Sequence, residues 1–176
     1  EEAEHTTTNA VTSFDSDGFT IGSGGTVNDN TDAYVSWQWK CNGGTTETAV
    51  SESGNNPANV RQTNATAGFS IITSTGTGAA GTIAHGLGAV PHFMISKGRS
   101  NEGGWVVYHS ANTAAPETDA LNLSNDGATV DSTWFNDTAP TSSVFTLGLT
   151  NDLNGDARTY VHYVFTEIQG YSKFGS

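Results

Sequence analysis

The side chains of this 176-residue chain that could do chemistry are scattered rather than grouped. The five histidines, His5, His85, His92, His109 and His162, miss the close spacings, such as His-x-x-x-His, that put two imidazoles on one metal ion. No Gly-x-Ser-x-Gly elbow presents a nucleophile, and no Gly-x-x-x-x-Gly-Lys loop cradles a phosphate. His85-Gly86-Leu87-Gly88 has the outline of an oxyanion loop. Without an elbow it reads as a turn leading to the strand after Pro91. His109 and His162 fall in strand-like segments, where a hydrogen-bonded structural role is the default. Glycoside hydrolysis needs two carboxylates at a defined separation. Many acidic residues here lie in loops, so a polysaccharide depolymerase remains a minor alternative. The chain is otherwise expected not to be an enzyme.

Two kinds of binding chemistry are legible. Hard cations such as calcium take oxygen ligands from Asp, Asn and turn carbonyls. Asp152, Asn154 and Asp156 offer such a set, and Asn28, Asn30 and Asp32 offer a similar one earlier. Gly155 is misplaced for an EF-hand, and an ordinary Asx-rich turn explains the same residues. Calcium is the one candidate cofactor. Carbohydrate is the second chemistry: an aromatic ring stacks on the apolar face of a sugar while amides bind its hydroxyls. Trp105 and Tyr108 after the Gly103-Gly104 turn fit that pattern, as do Trp134 and Asn136 beside Asp137. The alternative is that both tryptophans are core.

The charge balance narrows the partners. Eighteen acidic and six basic residues give a net charge of −12. That excess repels a phosphate backbone and anionic lipid surfaces, so neither nucleic acid nor membrane is expected as a partner. No apolar run approaches the ~18 residues of a spanning helix. The first nine residues lack the basic and apolar regions of a signal peptide. Cys41 is alone, so no intrachain disulfide can form. Asn64, Asn122 and Asn136 each begin an Asn-x-Ser/Thr glycosylation pattern.

The elements that must position these residues are strands. No segment carries a capped period of 3.6, whereas period-two segments abound. Ala33-Tyr34-Val35-Ser36-Trp37-Gln38-Trp39 alternates cleanly, and strands are expected over 68–73, 92–96, 105–109, 120–123, 130–135, 144–149 and 159–168. Turns rich in Gly, Asn and Asp separate them. The fold class expected is all-β: an antiparallel, jelly-roll-like β-sandwich, with a closed barrel as runner-up. The stretch 43–66 reads as a polar linker or loop. An internal echo sets the remaining boundaries. Residues 14–39 align without gaps with 140–165, at an offset of 126 and with seven identities. These are Ser16/Ser142, Phe19/Phe145, Thr20/Thr146, Gly22/Gly148, Asn28/Asn154, Tyr34/Tyr160 and Val35/Val161. Each copy is expected to be a β-hairpin. Residues 1–42 then read as the tail of a preceding repeat and 67–176 as the main sandwich repeat, which implies a longer parent of tandem units.

Several segments in order carry a family resemblance: Phe14-Asp15-Ser16-Asp17-Gly18-Phe19-Thr20-Ile21-Gly22, Ala67-Gly68-Phe69-Ser70-Ile71-Ile72-Thr73, Ala84-His85-Gly86-Leu87-Gly88 with Pro91, Trp105-Val106-Val107-Tyr108-His109 and Gly170-Tyr171-Ser172-Lys173-Phe174-Gly175. From about Phe14 onward the chain resembles a β-rich repeat domain of structural proteins of marine tailed bacteriophages, the tail-fibre or virion proteins. It departs from that pattern at Ser74, where an aromatic is expected, and at His162 and Val164, where smaller or sulfur-bearing residues are common. The resemblance implies a virion or extracellular location and a structural and adhesive role in a fibre. The partners it implies are the protein itself, as a homo-oligomer or as neighbouring repeats, and a host surface glycan. A purely structural filament or capsid-decorating subunit is the alternative.

Overall fold

The computed structural model describes residues 2–41, 47 and 53–175. They form two compact units: residues Glu1–Glu4 with Lys40–Ser176, and residues His5–Trp39. Among the described residues the architecture is all-β with one helical turn.

In the smaller unit, β1 (Val11–Phe14) pairs antiparallel with β2 (Phe19–Ile21) around the Asp15–Gly18 turn. One helical turn, α1 (Gly25–Asn28), follows. Residues 33–38 alternate as a strand would, yet they enter no ladder, so the strand expected there is not formed. A lone extended segment cannot satisfy its N–H and C=O groups internally.

The larger unit is built on a seven-stranded antiparallel sheet in the order β3-β4-β11-β6-β7-β8-β9. Its strands are β3 (Ala58–Asn64), β4 (Phe69–Thr75), β6 (Phe93–Gly98), β7 (Trp105–His109), β8 (Asp119–Asn122), β9 (Val130–Asp131) and β11 (Thr159–Phe165). A two-stranded sheet pairs β5 (Gly81–Ala84) with β10 (Val144–Leu147). The central strand β11 lies between β4 and β6, with Tyr163 opposite both Ile71 and Ile95. Alternation sends Tyr160, His162 and Val164 inward, with Ile72, Met94, Val106 and Tyr108 from neighbouring strands. Ile83, Phe145 and Leu147 of the small sheet close the core from the other side. This is the sandwich-like packing that the alternation predicts.

Three expectations need correction. The stretch 43–66 is not all linker, because β3 forms an edge of the large sheet; residues 42–46 and 48–52 lie outside the described residues. Arg61 ties β3 down, donating from Nε to Glu47 at 2.8 Å and from its guanidinium to the Ala84 carbonyl at 3.1 Å. Second, β9 covers only Val130–Asp131, and Phe135 reaches the core from a turn. Third, neither copy of the echoed segment is a hairpin. In the second copy, β10 and β11 belong to different sheets, so their connection arches across the sandwich. The arch forms because Leu153, in the middle of the connection, is wholly buried in the core and pulls the chain across.

Candidate functional site

The carbohydrate-type residues do not converge as a set. Tyr108 is buried and packs edge-on against Phe135, with ring centroids 5.5 Å apart, so it is a core residue rather than a ligand contact. Burial also pushes its phenol pKa up. Trp105 begins β7 and is 39% exposed; its backbone amide donates to Ser124 Oγ. Asn136 is exposed in a left-handed turn at φ 51°. Trp134 is different. It packs partly on the core and also lines an open cleft of about 460 Å³ with Asn122, Asn125, Asp126 and Thr129.

The cleft is built by two turns at the end of the large sheet. Asn122 closes β8, and its Oδ1 accepts the Ser124 amide at 2.9 Å. Asn125 Oδ1 accepts the Gly127 amide at 2.9 Å, which folds 125–127 into an Asx-type turn. These bonds leave the amide groups of Asn122 and Asn125, the Asp126 carboxylate and one tryptophan beside a single hollow. Sequence reading found Trp134, marked Asn122 only as a glycosylation pattern, and missed Asn125 and Asp126. Their only local signal was the Asp126-Gly127 turn, and the fold alone brings that turn to Trp134. A larger hollow of about 630 Å³ lies near the C-terminus, between His92 and Tyr171. Its charged groups are already matched, with Lys173 donating to Glu167 at 2.8 Å.

The calcium-type residues are also dispersed. Asn154 is wholly buried; its amide donates to the Ala79 carbonyl, and its Oδ1 accepts the Thr77 amide at 2.9 Å. It is therefore a structural clamp on the loop between β4 and β5, which corrects its reading as a ligand. Asp152 lies against Gly103, and Asp156 lies against Gly78. Among the described residues, no group of three His, Cys, Asp or Glu could hold a metal ion.

Two buried histidines are structural. His85 Nδ1 accepts the Leu87 amide and its Nε2 donates to the Thr141 carbonyl, which makes the His85–Gly88 segment the turn that its glycines predict. Burial lowers its pKa. His162 lies wholly inside the sandwich under Phe145, with ring centroids 5.4 Å apart. Its Nε2 meets Ser74 Oγ and its Nδ1 meets Ser96 Oγ, both at 2.9 Å. Desolvation depresses its pKa to about 3, so the ring stays neutral. The Ser–His–Ser row is enclosed by core, which makes it a polar bolt across three strands.

The echoed segments agree in atomic detail around their turns. Tyr160 Oη accepts the Gly155 amide at 2.8 Å and donates to the Asn151 carbonyl at 2.7 Å. Tyr34 Oη accepts the Asp29 amide and donates to the Gly25 carbonyl, both at 2.9 Å. Every atom of the second set sits 126 positions before its counterpart. The backbone bond from Asn154 to Thr150 recurs as Asn28 to Gly24, each at 2.9 Å.

Fold and cleft together define an all-β sandwich module with a surface hollow of one aromatic and several amide and carboxylate groups. The chain belongs to the family described as Domain of unknown function (DUF7483), which matches residues 1–176. No curated protein and no solved structure matches it.

Proposed function

We propose that this chain is a structural and adhesive module of a bacteriophage tail fibre or similar extracellular appendage, and that it attaches to neutral surface glycans. The cleft lined by Trp134, Asn122, Asn125 and Asp126 carries this reading. A tryptophan face covers the apolar side of a pyranose, and amides and a carboxylate beside it accept and donate to hydroxyls. The cleft is shallow, so each site binds weakly, and a fibre presenting many copies gains strength through avidity. The net charge of −12 favours neutral over acidic sugars. The cleft lining includes one carboxylate, Asp126, whereas glycoside hydrolysis uses two, so binding without turnover is the better match. The order of the phage-like segments supports the appendage setting.

The test is a glycan array probed with multivalent display of the full chain. Retention on a defined set of neutral glycans is expected. Asn125→Ala and Asp126→Ala, both at exposed positions, are expected to weaken it about tenfold each, or ~1.4 kcal/mol. A folded chain that retains no glycan would overturn the adhesive reading. The purely structural reading would then stand, favoured by the echoed tyrosine turn.

A further inference from the structure

We infer that residues 33–39 are the counterpart of β11, and that they complete a sheet by seating between two strands of the β4 and β6 type belonging to another unit of this same fold. The inference does not depend on glycan binding.

The argument starts from the turn. In the larger unit, the tyrosine hydroxyl bridges its own approach turn and fixes how the chain enters β11. From Tyr160 onward the chain is the central strand, in ladder with β4 on one side and β6 on the other. The smaller unit reproduces that turn bond for bond. Its following residues alternate in the same phase, yet residues 33–38 enter no ladder. Tyr34 is 49% exposed where Tyr160 is wholly buried. Val35 and Trp37 are 69% and 70% exposed, an unusual position for large apolar side chains.

The side-chain pattern fits the same slot. Val35, Trp37 and Trp39 align with the outward Val161, Tyr163 and Phe165, so large residues replace large ones. Tyr34, Ser36 and Gln38 align with the inward Tyr160, His162 and Val164. That inward face accepts polar groups, since Ser70, Ser74, Ser96 and His162 are all buried on it. A second copy of this chain is a poor acceptor, because its own β11 already fills the place between β4 and β6. The acceptor is therefore a unit of this fold whose last strand comes from its neighbour. Main-chain hydrogen bonds on both edges would give the affinity, and the alternating side chains the register.

The test grafts residues 14–39 in place of 140–165 of the full chain, 26 residues for 26. A second version restores His and Val at the two inward positions, 162 and 164. The second version is expected to unfold cooperatively, to show slow amide exchange across 160–165, and to shift its tryptophan emission to the blue relative to wild type. Loss of cooperative unfolding in that version would overturn the inference. So would self-association of the wild-type chain that Trp37→Arg abolishes, since it would make a second copy the partner. The glycan array is blind to both outcomes, so the two proposals fail separately.

Discussion

The bolt formed by His162 makes a quantitative prediction about acid. An unfolded histidine takes up its proton near pH 6.5, whereas in the folded protein burial holds the pKa of His162 at about 3. Between those values the unfolded chain binds one proton more than the folded chain, so stability falls as pH falls. The slope is up to ~1.4 kcal/mol per pH unit, and the loss between pH 7 and pH 4.5 comes to roughly 2–3 kcal/mol. His85, also depressed by burial, adds a loss of the same sign. The carboxylates of Glu4 and Glu167, held low by Arg99 and Lys173, contribute only at lower pH, as they protonate. His162→Gln isolates the one group: it removes the titration while keeping polar atoms near Ser74 and Ser96. The variant is expected to be less stable at neutral pH, yet to lose roughly 2–3 kcal/mol less than wild type on acidification. Urea melts of both proteins from pH 7 to pH 4.5 measure the difference. Parallel stability curves would show that His162 titrates normally and that the enclosed Ser–His–Ser row is misread.

Other substitutions probe the arch and the cleft. Tyr160→Phe strands the buried Gly155 amide, while the Asn151 carbonyl keeps the Asn101 amide as a donor, at an expected cost of about 1–2 kcal/mol in urea melts. Asn154→Ala frees the Thr77 amide and leaves the Ala79 carbonyl with the Thr77 hydroxyl as its donor, and is expected to cost about 1–3 kcal/mol and speed amide exchange at Thr77. Gly148→Ala drives a Cβ into the Thr133 carbonyl oxygen, a backbone atom that cannot step aside. Its expected outcome is a loss of more than ~3 kcal/mol or failure to fold, read by circular dichroism. Trp134→Ala is expected to abolish glycan retention and also cost about 2 kcal/mol, because the ring packs on the core.

The strands readable from sequence are short runs rich in apolar and aromatic residues between turns. Trp105–His109 and Thr159–Phe165 are such runs, and the expected bounds fall within a few residues of the observed ones. Ala58–Asn64 escaped because it is a polar edge strand, Ala-Asn-Val-Arg-Gln-Thr-Asn, whose partners are the backbone of β4 and the long reach of Arg61. Residues 33–39 show the reverse case: their alternation is strong, but a strand needs neighbours, and alternation does not supply them. The same limit governs the site. Trp134 could be picked as an aromatic near amides, but Asn122, Asn125 and Asp126 join it only because β8 and β9 pair and bring their turns to one end of the sheet. Asn154 was read as a ligand because an Asx turn and a buried clamp use the same residue type. Only the approach of the 77–79 loop separates them.

The polar interior explains how so few apolar residues can hold a sandwich together. Apolar residues make up 35% of the chain, and the middle of the large sheet spends inward positions on Ser70, Ser74, Ser96 and His162. Hydrophobic residues there would bury more apolar area but give no preference for one register over a slip by two, which keeps every side chain on its face. A histidine that must meet one serine on each neighbouring strand does give that preference. A two-residue slip of β6 against β11 would set Met94 or Gly98 opposite His162 in place of Ser96 and bury an imidazole nitrogen without a partner, at about 1–3 kcal/mol. Moving the bolt tests this: Ser96→Ala should destabilise the fold, and combining it with His162→Phe, which needs no partner, should recover part of the loss in a double-mutant cycle. If the two costs simply add, the row does not act as a unit, and register must be set by the turns instead.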